Sequence, residues 1–297
     1  MKYIAIDIGG TKLKHGLIDE AGNILERTEI PSEAHRGGAH LVELVLEICH
    51  AYVQDHKIEG IGISTAGMVD PEKGEIIYSG KQIPEYSGTK WKRIIEDEFK
   101  VPCEVENDVN CAGLSEALIG AGRGCSPCVC ITVGTGIGAC MIVDGKIFHG
   151  ASGSAFEVGY MNMGDGIYQD KASTTALVEN VAEKLNILKG QIDGRWIFER
   201  AKQGDPVCNE AIDDLMENLA FGISNICYVA NPQVVILGGG IMEQAEFLKP
   251  RLDRAIEKML LDFVRKNTEF TFAANGNNAG MLGAFFNLKN KMEKKDQ

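Results

Sequence analysis

Asp7-Ile8-Gly9-Gly10-Thr11-Lys12 decides the reading of this chain. Before it lies a short apolar run, Tyr3 to Ile6, and after it another, Leu13 to Ile18. Two apolar runs broken by a glycine turn read as strand, tight turn and antiparallel strand. Glycines without a Cβ let backbone N–H groups approach a phosphate, and here a hydroxyl and a carboxylate sit beside them. The turn is not a Walker loop, and it is not a Gly-x-Gly-x-x-Gly turn opening a helix. From these residues alone it is either a phosphate loop or a plain hairpin turn.

The same plan recurs near the middle of the chain. Val129 to Val133 is apolar, Gly134-Thr135-Gly136-Ile137-Gly138 follows, and Ala139 to Val143 is apolar again. Asp144-Gly145 then leads to Lys146–Phe148, as Asp19 to Asn23 leads to a run from Ile24 in the first copy. Two such units point to a duplicated domain. Two glycine-threonine turns facing each other across a cleft would grip a polyphosphate from both sides.

The bulk properties narrow the class. A chain of 297 residues suggests about two domains. With 44% hydrophobic and 24% charged residues, it has an ordinary globular composition. Net charge is −12 and the pI about 5.1, against the basic stripe of a nucleic-acid binder. The one basic cluster, Lys289 to Lys295, reads as a polar tail. No apolar run approaches the ~20 residues of a membrane span, and no secretory leader is evident. The expectation is a cytoplasmic protein with no nucleic-acid or membrane partner. The nine cysteines are an odd number, against a disulfide framework. Cys125, Cys128 and Cys130 resemble a metal knuckle without a second ligand pair, and Cys130 and Cys140 fit apolar strands as small hydrophobes.

Periodicity places helices over Gly37–His56, Lys90–Phe99, Pro206–Tyr228 and about Gly280–Leu288. Strands are expected over Ile58–Ser64, Cys103–Glu106 and Val234–Leu237. Asn107-Asp108 opens a helix running to about Ile119, residue types suited to an N-cap. Glycine turns thus follow four apolar strands, near Gly9, Gly67, Gly134 and Gly238, where open α/β sheets bind ligands. Gly238-Gly239-Gly240 also opens a helix whose N–H groups attract anions. Asp108 is either a helix cap or a base that accepts a hydroxyl proton in phosphoryl transfer. Glu157, in a glycine-flanked loop, is either a solvated charge or a bidentate partner of two sugar hydroxyls.

Together these motifs resemble the ROK family of sugar kinases along essentially the whole chain. Glu106-Asn107-Asp108-Val109-Asn110 matches the catalytic motif of that family. The resemblance implies an α/β fold, the duplicated RNase H-like fold of sugar kinases, Hsp70 and actin, with two domains flanking a cleft. It places the small domain at 1–107 plus about 280–297 and the large one at 108–279. Asp108 is then the base, and Gly67, Asn107, Glu157 and Tyr160 lie on the sugar side. ATP would be held by Asp7, Gly9, Gly10, Thr11 and Lys12, by Gly134, Thr135, Gly136 and Gly138, and by Gly238, Gly239 and Gly240. Asp7 would help place magnesium, and a homodimer is implied.

Two departures from the family matter. Most members have Glu-x-Gly-His, whose His ligates a structural zinc; here the fourth position is Tyr160. The family's cysteine-rich loop corresponds to Gln169–Glu179, which has no cysteine. Tyr, Ser and Thr do not replace imidazole and thiolates, so no zinc is expected. The carboxylate that reaches the anomeric end of the sugar also has no equivalent. Both departures are similar to the β-glucoside kinase branch. The expected activity is phosphorylation of the 6-hydroxyl of a β-glucoside such as cellobiose. The alternatives are a glucokinase, N-acetylmannosamine kinase or fructokinase. A ROK-type regulator is disfavoured because the phosphate loop begins at Asp7, leaving no room for a preceding helix-turn-helix.

Overall fold

The computed structural model describes residues 1–80 and 83–295. In chain order the first half carries β1 (Lys2–Ile8), β2 (Lys12–Asp19), β3 (Ile24–Pro31), α1 (Gly38–Asp55), β4 (Ile61–Thr65), β5 (Met68–Asp70), β6 (Glu75–Tyr78), α2 (Trp91–Phe99), β7 (Cys103–Asn107) and α3 (Asp108–Ile119). Then come β8 (Cys128–Val133), β9 (Ile137–Val143), β10 (Lys146–Ile147), α4 (Gln169–Ala172), α5 (Thr174–Leu185), α6 (Gly194–Lys202) and α7 (Pro206–Ala230). The chain ends with β11 (Val234–Gly238), α8 (Ala245–Met259), α9 (Asp262–Asn267), β12 (Glu269–Phe272) and α10 (Ala279–Lys295).

The duplication appears in the strand order. One sheet runs β3-β2-β1-β4-β7 and the other β10-β9-β8-β11-β12. In each, the strand before the glycine turn pairs antiparallel with its hairpin mate and parallel with a later strand. This is the duplicated α/β fold of the sugar kinase, Hsp70 and actin class. The chain divides into two compact units. The first comprises Met1–Ser115, Lys146–Ala155 and the stretch from Asn277; the second comprises Glu116–Gly145 and Phe156–Gly276.

In the first unit, strand alternation sorts β1 between two cores. Ile4, Ile6 and Ile8 pack with Leu41, Val45, Trp91 and Ile95 from α1 and α2. Tyr3 and Ala5 pack with Met281, Phe285 and Leu288 of α10. Because side chains alternate along a strand, Asp7 falls on the α10 side with Tyr3 and Ala5. That helix comes very close: a Cβ on Gly62 of β4 would lie 2.4 Å from the Ala284 carbonyl oxygen.

In the second unit, β8 sends Val129, Ile131 and Val133 into a core with Leu215, Leu219 and Ile223 of α7. That helix is capped by Asp205, whose carboxylate accepts from the backbone of Val207 and Cys208. Gly222 leaves room for the buried ring of Tyr168, whose hydroxyl donates to the Leu219 carbonyl at 2.8 Å.

Three differences from the sequence expectations have local causes. The β5–β6 hairpin that follows the Gly67 turn has no counterpart in the sequence expectations, because its strands are too short for alternation to show. Gln169–Glu179 lies in α4 and α5, with Ser173 capping α5 by accepting from Ala176 N–H. The last helix runs to Lys295 rather than ending near Leu288. Phe285, Leu288 and Met292 keep one apolar face on the sheet along it. The basic cluster from Lys289 therefore lies on that helix, with the side chains of Lys294 and Lys295 outside the described residues.

A first test concerns Gly283, where a Cβ would stand 1.9 Å from the Cys111 carbonyl oxygen of α3. Alanine favours a helix interior by about 1 kcal/mol over glycine. Here the obstacle is backbone, which no rotamer change relieves, so the clash should win. Gly283→Ala is expected to lower stability by about 1–3 kcal/mol net, read as a lower urea midpoint at unchanged m-value.

Candidate active site

The Asp7 carboxylate is held from three sides within the first unit. Ser64 Oγ donates to Oδ1 at 2.7 Å, and Lys14 Nζ lies 3.1 Å from Oδ2. Lys14 faces Asp7 because the antiparallel register pairs the two positions directly. The third side is the start of α10, where a Cβ on Gly280 would lie 2.4 Å from Oδ1. The partial positive charge of a helix N-terminus there favours an anion. Gly10, Thr11 and Lys12 form an open turn, closed by Gly9 N–H donating to the Lys12 carbonyl at 2.9 Å. The Lys12 ammonium lies out on Glu29.

Asn107 and Asp108 divide the work that the sequence left open. Asn107 is the cap: its Oδ1 accepts from the backbone of Val109 at 2.9 Å and of Asn110 at 3.2 Å. Its Nδ2 donates to the Gly67 carbonyl and to Asp108 Oδ1, both at 3.0 Å. Gly67 has φ +101°, and a Cβ there would meet the Tyr78 carbonyl at 2.8 Å, so this turn requires glycine. Asp108 opens α3 and accepts from Val109 N–H at 2.9 Å. Its carboxyl is pushed up to about 6, first by burial and then by the charge of Asp7, against the hydrogen bonds it accepts. A carboxylate with that affinity is suited to taking a proton near neutral pH.

Glu106, the first residue of the Glu106–Asn110 motif and no candidate for a role of its own, is buried beneath this turn. Its Oε1 accepts from Asn107 N–H and from Asn110 Nδ2, each at 2.9 Å. Its Oε2 meets His149 Nε2 at 2.7 Å. A carboxylate two residues before the candidate base, on a strand of apolar alternation, was the available signal. His149 itself gave none.

In the second unit, the Gly134–Gly138 turn is braced by α5. Thr174 N–H donates to the Gly134 carbonyl and Thr175 Oγ1 to the Thr135 carbonyl, both at 2.8 Å. The helix N-terminus therefore abuts this turn, an arrangement suited to anions. The loop after β11 comes just as close to the end of β8. Gly239 has φ +103°, and a Cβ on it would lie 2.2 Å from the Val133 carbonyl oxygen. Gly238 ends β11, and Gly240 starts a 3-10 turn that leads into α8. Gly136 and Gly138 belong to the same turn and the strand it opens.

Glu157 lies exposed just ahead of a 3-10 turn, Val158–Tyr160, with its carboxyl raised by the protein around it. Phe156 before it adopts φ +65°, uncommon for a bulky residue. The Tyr160 ring is 63% exposed, so it stands at the surface rather than filling a core. Among the described residues, no group of three or more His, Cys, Asp and Glu side chains is arranged to hold a metal ion. No described helix is long and apolar enough to cross a membrane.

A duplicated α/β fold with glycine turns at the ends of β1, β4, β8 and β11 defines a phosphotransferase-type scaffold. The chain belongs to the ROK family, whose model matches residues 3–291. It is 47% identical to "Uncharacterized protein CPE0188" of Clostridium perfringens, over 98% of this chain and 99% of that one. It is 30% identical to a β-glucoside kinase of Listeria innocua, over 97% of each. Among solved structures, a ROK family glucokinase from Streptomyces griseus in complex with glucose and AMPPNP aligns with TM-score 0.82 and 27% identity. That alignment covers 96% of this chain and 98% of the other.

Because the family resemblance implies a zinc-ligating His where this chain has Tyr160, the purified protein is expected to carry no stoichiometric zinc. Elemental analysis after gentle purification checks this. About one chelator-resistant zinc per chain would redirect attention to Cys125, Cys128 and Cys130.

Proposed function

We propose that the protein transfers the γ-phosphoryl group of ATP to the 6-hydroxyl of a sugar, with a β-glucoside such as cellobiose as the preferred acceptor. That it is an ATP-dependent carbohydrate kinase follows from its family and its kinase relatives. The observation that supports the mechanism best is the half-buried Asp108 beside Asn107, its carboxyl pushed up to about 6.

In this reading Asn107 and Glu157 orient the sugar, and Gly67 gives the chain a tight turn beside Asn107. Asp108 accepts the proton of the 6-hydroxyl as that oxygen attacks phosphorus and the bridging oxygen leaves with ADP. Phosphoryl transfer has a loose transition state, so positioning and charge neutralisation supply most of the catalysis. Asp7, Gly9, Gly10, Thr11 and Lys12 in one unit are assigned to the nucleotide, as are Gly134, Thr135, Gly136, Gly138 and Gly238 to Gly240 in the other. The Asp7 carboxylate would suit magnesium, which binds through one or two carboxylates plus substrate phosphates. Bound there, it would neutralise charge on the phosphates. A homodimer follows from the family resemblance, and a cytoplasmic setting from the need for ATP.

The β-glucoside preference rests on two features. No carboxylate answers for clamping a free anomeric hydroxyl, and a site that lacks such a partner tolerates a substituted oxygen. Tyr160 also presents an exposed aromatic face on which a second ring could stack. The expectation is a higher kcat/KM for cellobiose or methyl β-glucoside than for glucose or N-acetylmannosamine. A free monosaccharide favoured by about tenfold, about 1.4 kcal/mol, would reject that acceptor while leaving the kinase in place.

The base assignment has its own pH test. Protonated Asp108 cannot accept a proton, so kcat/KM should fall as pH drops through about 6 and level off above it. Asp108→Asn keeps a side chain able to serve the helix start and should lose about 10²–10⁴-fold in kcat. A variant with near-normal turnover, or a rate unchanged across that limb, would remove Asp108 from the chemistry.

A further inference from the structure

We propose that His149 is a positioning residue for this site, fixing the carboxylate on which Asn107 depends. The inference rests on the kinase reading above. His149 belongs to the first unit through the segment Lys146–Ala155, a short excursion from the middle of the sequence. Its Nε2 meets Glu106 Oε2 at 2.7 Å, a short contact for a nitrogen donor. An ionised carboxylate only accepts, so Nε2 carries the proton in this pair.

The geometry gives that bond a consequence at the reacting end of β7. With Oε2 held by the imidazole, Oε1 is aimed at two donors, the backbone N–H of Asn107 and the side-chain amide of Asn110. Asn107 in turn ties the Gly67 turn to Asp108 through one amide nitrogen. The chain of contacts therefore runs His149, Glu106, Asn107, and then the sugar-side turn and the base. Glu106 is 1% exposed. Removing the imidazole leaves a buried carboxylate oxygen without this donor, and such a group is costly unless it turns to find another. Any turn of Glu106 also withdraws Oε1 from Asn107. His149, by contrast, is about a quarter exposed and contributes little apolar burial of its own. Its loop is closed separately, by Ala155 N–H donating to the His149 carbonyl at 3.3 Å, which a substitution of the side chain leaves in place.

The test compares His149→Phe, which keeps an aromatic ring without the donor, with His149→Gln, whose amide nitrogen can restore it. Steady-state kinetics on the best sugar are paired with amide hydrogen exchange at Asn107 and Asn110. For His149→Phe the expected result is a rise of about tenfold in KM for the sugar. KM for ATP should stay within about twofold, and the two amides should exchange faster at little-changed Tm. His149→Gln should recover most of both losses. Two results overturn the proposal. One is a His149→Phe variant with wild-type sugar KM and wild-type exchange. The other is equal loss for both substrates, tracking a fall in Tm, with no recovery in His149→Gln. If the wild-type protein phosphorylates no sugar, the kinase reading fails, and unchanged or faster exchange at Asn107 still decides the role of His149.

Discussion

The close approach of α10 to the first sheet is the constraint on which the site depends. Gly62 under the Ala284 carbonyl and Gly280 against Asp7 permit it, and Gly283 against the Cys111 carbonyl lets the same helix meet α3. At each, a single added carbon would stand 1.9–2.4 Å from an oxygen atom, far inside van der Waals contact. A longer helix-to-sheet spacing would withdraw the helix N-terminus from Asp7. It would also separate α10 from α3, the helix that Asp108 opens. Asp7 and Asp108 are thus placed by the absence of side chains on neighbouring elements.

Much of this was legible because the relevant signals are local. The Asp7–Lys12 turn interrupts two alternating runs, and alternation fixes which face each residue takes. Asp7 shares parity with Tyr3 and Ala5, so its orientation follows once the strand is recognised. The duplicate turn at Gly134 reads the same way. The β5–β6 hairpin and β12 were not legible, since runs of three or four residues carry too little periodicity to distinguish strand from loop. The helical start at Ser173 was hidden for another reason. As metal ligands Ser173, Thr174 and Thr175 are poor, but in the fold Ser173 caps the helix by accepting from Ala176 N–H, while Thr174 N–H and Thr175 Oγ1 donate to the carbonyls of Gly134 and Thr135.

The candidate site was legible in its chain-local part and hidden in its long-range part. Asn107 and Asp108 advertise themselves as a cap at a strand-to-helix junction. Only the structure shows that Asn107 takes the cap and leaves Asp108 as the second residue of the pair. Glu116 illustrates the opposite case. It is a fully buried carboxylate in an apolar helix, accepting from the backbone of Ala121, Ala274 and Asn275. Nothing near it in sequence reveals those donors, because two of them lie more than half the chain away. Buried charges are retained when hydrogen bonds offset their desolvation, and such bonds are set by topology rather than by neighbouring residues.

Asp7 and Asp108 show how one scaffold gives two carboxylates different surroundings. Asp7 has a hydroxyl on one oxygen and an ammonium on the other, with a helix N-terminus close by. Asp108 accepts from uncharged amide donors, among them those of Val109 and Asn107. Coulomb energies between unit charges a few ångströms apart reach about 4 kcal/mol at an effective dielectric of 20, so the placement of Lys14 matters. Lys14 stands on Asp7 and makes no ion pair with Asp108 among the described residues. Burial is the larger cause of that rise, and Asp7 the second. A base left wholly unopposed would stay protonated at neutral pH and accept nothing. One with its own cation would hold its electrons too tightly to act. The amide hydrogen bonds on Asp108 oppose the rise caused by burial and Asp7, leaving its carboxyl at about 6, which suits the proposed role of proton acceptor.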